Sequence, residues 1–296
     1  MNITGLFAAV ATPVRDDGRF DEAAFDRLVD FLLAAGVDGI CVGGATGEYP
    51  HFEVAERTAV IHRARQRLPD DRAFLVGIGS SSLRGTLALG EAAIAAGARA
   101  LLLPMPMFFR YQQDDLKAFA SRVTRTLRAP CLLYDLPDFT NGLAPDTTLA
   151  LLREEEFIIG IKDSSGRAEN VARFAEARQD KNWTLLVGDD RLLRAGLLAG
   201  WDGGISGIAG CHPELLVALD RSCRQGDTNE AARLQRRLDE LVSKLSMFPT
   251  PWGIRIALDA RGFSTGPLPL PLTLARSRQV AEFQDWLRAW LEQAPV

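Results

Sequence analysis

Eight short apolar runs limit what this chain can fold into. They occupy residues 6–12, 39–44, 73–79, 98–104, 130–137, 157–164, 183–189 and 203–210. Their starts are roughly 20 to 35 residues apart, the length of a strand–helix unit. Each run is nearly all apolar rather than alternating, as a strand buried on both faces reads. The stretches between them are amphipathic. Residues 21–35 place Phe25, Leu28, Val29 and Leu32 on one helix face behind a capping Asp21. Residues 53–66 do the same with Val54, Thr58, Ile61 and Ala64, and helices are expected at 83–96, 114–127, 146–153, 167–177, 191–199 and 212–225. Eight such units predict a (β/α)8 TIM barrel. A doubly wound sheet would need a Gly-x-Gly-x-x-Gly turn after the first strand, and Ala11-Thr12-Pro13-Val14 is nothing like one. Beyond Gly226 the pattern changes to helices at 229–247, 251–260 and 275–293 with a Gly/Pro-rich loop at 261–274. The expected organisation is a barrel carrying the active site over 1–225 and a C-terminal helical region over 226–296.

Charge and cysteine usage remove several function classes. The net charge is −4 and the pI about 5.5, without the basic stripe of a nucleic-acid binder. No apolar run approaches a bilayer span. Met1-Asn2-Ile3-Thr4-Gly5 has neither a basic region nor a cleavable apolar core, so no secretory signal is expected. Cys41, Cys131, Cys211 and Cys223 form no Cys-x-x-Cys pair, and His51, His62 and His212 have no metal-site spacing. The expectations are a cytoplasmic enzyme with no metal, no nucleic-acid partner and no membrane partner.

In a barrel of this kind the chemistry sits at the C-terminal ends of the strands. Lysine is scarce: of 34 basic residues only Lys117, Lys162, Lys181 and Lys244 are lysines. Three lie in polar surroundings. Lys162 instead follows Phe157-Ile158-Ile159-Gly160-Ile161, and strict alternation puts Ile158, Gly160 and Lys162 on one face. An inward lysine loses hydration, which favours the free amine, the nucleophile for a Schiff base. The alternative is a lysine paired with Asp163 or Asp189. Tyr134 ends the adjacent strand, either as a general acid/base or as a core tyrosine. Gly43–Glu48 is a glycine-rich turn whose N–H groups, with the Thr46 hydroxyl, suit a carboxylate; many ordinary strand–helix turns also read this way.

Together these segments resemble the dihydrodipicolinate synthase / N-acetylneuraminate lyase family. Gly44-Ala45-Thr46-Gly47-Glu48 is similar to that family's Gly-[Thr/Ser]-Thr-Gly-Glu. Tyr134-Asp135-Leu136-Pro137 resembles its Tyr-Asn-x-Pro, and Gly160–Gly166 its Gly-Ile-Lys-[Glu/Asp]-x-[Ser/Thr]-Gly. Gly188-Asp189-Asp190 and Gly204-Ile205-Ser206 match later strands. The resemblance implies a homotetramer that needs no cofactor beyond a covalent Schiff base on Lys162. It gives Lys162 the iminium with pyruvate or another 2-oxo acid, and Tyr134 the proton shuttle. It places the carboxylate on Ala45, Thr46 and Gly47, and the pyruvate end against Ile205, with Gly188 and Asp189 at the same site.

The departures bear on the reaction. Ala45 replaces a family hydroxyl. Phe108, in Met107-Phe108-Phe109-Arg110, replaces the tyrosine lent across a subunit interface. Phe139 stands where synthases carry an arginine for the carboxylate of aspartate semialdehyde. Losing donors to a bound charge costs a few kcal/mol each. The expected function is a Schiff-base aldolase or lyase joining or cleaving pyruvate and an aldehyde co-substrate, on a 2-keto-3-deoxy sugar acid or related 2-oxo acid. The alternatives are a 4-hydroxy-tetrahydrodipicolinate synthase with a rearranged relay, a keto-deoxy acid dehydratase, and a regulatory paralogue that only binds a 2-oxo acid.

Overall fold

A computed structural model describes residues 3–179 and 181–293 of the chain; residues 1–2 and 294–296, the outer ends of the two expected segments, lie outside them. Eight parallel strands form a closed barrel in sequence order: β1 (Gly5–Ala9), β2 (Gly39–Val42), β3 (Ala73–Gly77), β4 (Ala100–Pro104), β5 (Cys131–Asp135), β6 (Ile158–Asp163), β7 (Thr184–Val187) and β8 (Gly203–Ser206). The seam closes where Gly5 meets Gly203. A Cβ on Gly203 would stand 1.9 Å from the Gly5 carbonyl oxygen, and its φ is 151°, so this crossing takes glycine.

The intervening helices are α1 (Glu22–Ala34), α2 (Val54–Arg67), α3 (Leu83–Ala95), α4 (Gln113–Leu127), α5 (Pro145–Glu154), α6 (Ala168–Arg178), α7 (Leu193–Leu198) and α8 (Pro213–Arg224). Local chemistry sets their starts. Asp21 accepts from the Ala24 N–H at 3.0 Å to begin α1, and Ser82 accepts from Gly85 at 3.1 Å to begin α3. Pro213 opens α8, where the missing donor has no intrahelical partner to lose. Three more helices follow: α9 (Thr228–Leu245), α10 (Trp252–Ala260) and α11 (Leu274–Glu292). α9 packs on α7 and α8, and α10 packs on α9 and α11. The described strands stop short of several expected ends, so residues 10–12 and 43–44 belong to loops.

The apolar residues divide into two layers. Phe25, Leu28 and Leu32 of α1 join Leu6, Ala8 and their counterparts between strands and helices. Phe7, Cys41, Leu75, Leu102, Leu132, Leu186 and Ile205 fill the barrel interior. Strict alternation fails in β6. Ile158 pairs with Cys131 but Gly160 pairs with Leu132, so Ile159 is one residue too many. Ile158 therefore packs in the outer layer and Ile159 against the inner one, the reverse of the expectation. Lys162 still faces inward because the bulge lies before Gly160.

Candidate active site

Lys162 ends β6 in register with Tyr134 of β5. The two side chains are 5% and 3% exposed, and the Lys162 Nζ lies 4.1 Å from the centre of the Tyr134 ring. Neither expected carboxylate takes the lysine. Asp163 accepts from the Ser165 N–H at 2.8 Å and from Asn170 at 2.9 Å. Asp189 is engaged by the fork of Arg191, whose Nε approaches at 2.9 Å. Among the described residues Lys162 has no ion pair and no hydrogen bond. Its contact is the face of a phenol.

A cavity of about 400 Å³ opens over this pair, and Ala45, Thr46, Phe139, Gly188 and Asp189 also line it. Gly188 is needed for space: a Cβ there would stand 2.8 Å from the Lys162 Cε and 2.0 Å from the Ser164 Oγ. The turn after β2 is shaped for an anion. The Gly47 N–H bonds the Gly44 carbonyl at 3.1 Å and the Glu48 N–H bonds that of Ala45 at 3.0 Å. The N–H groups of Ala45 and Thr46 have no acceptor among the described residues, and both residues face the cavity. Arg57 props this turn from behind, donating to the Gly43 carbonyl at 3.5 Å and to the Gly77 carbonyl at the end of β3 at 2.8 Å.

Three of the expected site residues stand elsewhere. Gly47 accepts the Thr12 hydroxyl at 2.9 Å and lies behind the lining. Ile205 is fully buried in the barrel interior, and Gly207 and Ile208 line the cavity in its place. Phe108 is 90% exposed with a φ of 73°, and it borders a neighbouring hollow shared with Phe109 and Phe139. The subunit itself does not bring Phe108 to Lys162.

Other groups at the site escaped the sequence reading. Ser164 lies two residues beyond Lys162 on the same face, and its buried Oγ has no hydrogen-bond partner among the described residues. Asp190 follows Asp189 in the turn after β7. Burial pushes its carboxyl up to about 6; the Ser206 hydroxyl pulls it down, the neighbouring Asp189 charge raises it and Lys162 lowers it. Extending the strand alternation from Lys162 reaches Ser164, but nothing in the sequence separates Asp190 from its neighbour. The C-terminal region supplies a wall through Val242, Leu245, Thr250, Pro251 and Ile254. That wall is tied to the anion turn by a buried pair: Arg255 of α10 reaches Glu48 at 2.8 Å, both side chains under 5% exposed. Among the described residues, no group of three or more His, Cys, Asp or Glu side chains is placed to hold a metal ion.

The model of the dihydrodipicolinate synthetase family matches residues 2–290. The chain belongs to that family. It is accordingly an enzyme of the lyase class, of the class I aldolase type. The 4-hydroxy-tetrahydrodipicolinate synthase of Sorangium cellulosum is 35% identical over 298 residues, covering 97% of each chain. That of Methanothrix thermoacetophila is 32% identical, covering 96% of this chain and 95% of the relative. Among solved structures, the prophage protein YagE from E. coli K12, of the same family and in complex with pyruvate, superposes with a TM-score of 0.90 at 28% identity. It covers 97% of this chain and 98% of its own. The Ruminococcus gnavus sialic acid aldolase, at 20% identity and a TM-score of 0.87 over 98% of both chains, shares the fold.

Proposed function

We propose that this family member cleaves, or in reverse forms, a 2-oxo acid of the 2-keto-3-deoxy sugar acid class, with pyruvate and an aldehyde as the two halves. The observation that carries the reading is Lys162, buried, without an ion pair among the described residues, and stacked on Tyr134 at the cavity's closed end. The Lys162 amine attacks the 2-oxo carbon, and loss of water leaves an iminium. Tyr134 takes the proton of the C4 hydroxyl; the C3–C4 electron pair moves toward the iminium, releasing the aldehyde and an enamine. Return of the proton to C3 and hydrolysis frees pyruvate and the lysine. The 2-oxo acid carboxylate rests on the free N–H groups of Ala45 and Thr46. The covalent Schiff base on Lys162 is the only electron sink this route uses.

The outer half of the cavity argues against aspartate semialdehyde as the partner. Phe139 is half exposed at the lip, and the lining carries Asp138, Asp189 and Asp190 against one arginine, Arg191, already forked on Asp189. A substrate carboxylate there meets net negative charge. The synthase reading keeps one point in its favour, the names of the curated relatives. Dehydration of a keto-deoxy acid through the same enamine is a close variant. A binding-only paralogue has no use for the lysine–phenol pair. Exposed Phe108, Phe109 and Tyr111 suit coverage by a second copy within the homotetramer implied by the family.

A panel of keto-deoxy acids coupled to pyruvate release tests the reading. At least one sugar-derived acid is expected to turn over. Condensation of pyruvate with aspartate semialdehyde at an ordinary rate, around 10 per second, would overturn it.

A further inference from the structure

Tyr134 has no partner for its hydroxyl among the described residues, although the reading above makes it move a proton twice. A phenol that takes a proton at one atom and returns it at another needs a second group to orient it and to share the proton. Ala45 and Phe108 offer it no oxygen. Ala45 lines the same cavity with a methyl group, and Phe108 is turned out to 90% exposure. Thr46 has a hydroxyl, but it faces the other side of the barrel mouth. Its Oγ1 lies 3.0 Å from where a Cβ on Gly207, just beyond β8, would stand.

Tyr49 lies on the Tyr134 side. Beyond Gly47 the chain passes through Glu48 at a φ of 51° and into a single 3-10 turn, Tyr49–His51. This sharp reversal lays the Tyr49 ring across the end of β3. Its Cε2 and Cζ each lie 3.1 Å from where a Cβ on Gly79 would stand, and the Pro104 Cγ lies 2.5 Å from that same point. Pro104 pairs in register with Tyr134. Cζ is the atom that carries the hydroxyl, so the phenol end of Tyr49 lies at the end of β3, one strand from Tyr134 across Pro104 and close enough for the two phenols to interact electrostatically. The ring is held: the Arg57 guanidinium lies 5.0 Å from its centre and is itself bonded to the Gly77 and Gly79 carbonyls. Tyr49 is 5% exposed, and its hydroxyl has no hydrogen bond among the described residues.

We propose that Tyr49 is the second hydroxyl of a two-phenol relay, orienting the Tyr134 hydroxyl through one bridging water and sharing the proton that Tyr134 moves. The inference rests on the Schiff-base reading above. Tyr49 acts through Tyr134 and is a positioning residue. No direct bond joins the phenols, and a water between two polar groups serves nearly as well. Burial first, and then the neighbouring Tyr134, push the Tyr49 phenol up to about 12, with Arg57 pulling the other way. Tyr49 thus stays neutral at working pH, able to donate and accept at once, as a relay member must.

Tyr49→Phe keeps the ring, its contact with Arg57 and its volume, and removes only the oxygen. Two readouts separate a relay from a structural role. The first is borohydride trapping of the pyruvate adduct, followed by intact mass. The second is exchange of the pyruvate C3 hydrogens for solvent deuterium, followed by NMR. The relay predicts unchanged trapping, C3 exchange and kcat slowed roughly 10- to 100-fold, and KM within about twofold. It also predicts that adding Tyr49→Phe to Tyr134→Phe causes no further loss, since the two act as a unit. Exchange within twofold of wild type, additive losses, or an equal fall in trapping would each overturn the relay. An untrapped wild type would overturn the Schiff-base reading and the relay with it. A trapped wild type with normal exchange in Tyr49→Phe would overturn the relay alone.

Discussion

At the closed end of the cavity Lys162 and Tyr134 are 5% and 3% exposed and stand on neighbouring strands, whereas at the open end Phe139 is 51% exposed and the charges sit on turns. The first region is held by the barrel ladder and by a glycine that leaves room for one lysine. The second is assembled from Asp138 and Phe139 after β5, Asp190 and Arg191 after β7, and a wall from α9 and α10. A rigid end suits the Schiff-base step, and a loop-built end suits selection of the aldehyde half in the proposed reaction. Substitutions at the closed end should stop the reaction, and substitutions at the open end should change which substrate reacts.

The largest expected effect lies on the link between the ends. Arg255→Met leaves Glu48 charged and buried, and also abandons the carbonyls of Thr265, Gly266 and Pro267. Breaking one side of such a pair costs about 3–5 kcal/mol. Urea unfolding should show that loss, and an unchanged midpoint would mean the two ends are not coupled here. Next is Gly188→Ala. The added Cβ collides with Lys162, Ser164 and the Asp163 carbonyl, so kcat should fall roughly 100-fold or more, and the melting midpoint should drop as an overpacked site does. Wild-type turnover in this variant would contradict a rigid closed end.

Smaller effects follow from the buried carboxyls. Burial pushes Asp135 up to about 6, partly relieved by the Leu143 N–H it accepts at 2.9 Å. A carboxyl raised in the folded state binds protons more tightly folded than unfolded. Its contribution is therefore intact below the ordinary carboxylate value and is lost as the pH rises toward about 6. Asp135→Asn should be more stabilising at pH 7.5 than at pH 4, by about 1–3 kcal/mol. The same difference at both pH values would contradict the buried-charge cost. The smallest change is at the open end. Burial and the Ser206 hydroxyl set the titration of Asp190; if the ionised carboxylate is the form that accepts a hydroxyl of the proposed aldehyde half, kcat/KM should rise through about pH 6. Asp190→Asn should remove that inflection and cost roughly 10-fold in kcat/KM, leaving pyruvate trapping untouched. Reduced trapping would place Asp190 with the closed end instead.

The same contrast explains what could be read from sequence. Eight apolar runs fix the barrel, because strands buried on both faces have few other solutions. Scarce lysines and strand alternation expose Lys162, although the extra residue at Ile159 shows how easily alternation slips. Tyr134, Thr46 and Gly188 follow from their places at strand ends. The open end carries no such period. Glu48 and Arg255 meet across 207 residues, a contact decided by how α10 settles on the barrel. Tyr49 depends on one residue at positive φ, and Phe108 on another. Both are backbone choices that the apolar pattern does not encode. Asp190 differs from Asp189 only in which way a short turn aims it.

The central claim is that Lys162 forms a covalent iminium with a 2-oxo acid. Borohydride reduction in the presence of pyruvate, read by intact mass, tests it directly. The Schiff-base assignment predicts one stable pyruvate adduct per wild-type chain, located on Lys162 by peptide mapping, and none in Lys162→Ala. An unmodified wild type, or the same adduct in Lys162→Ala, would contradict it.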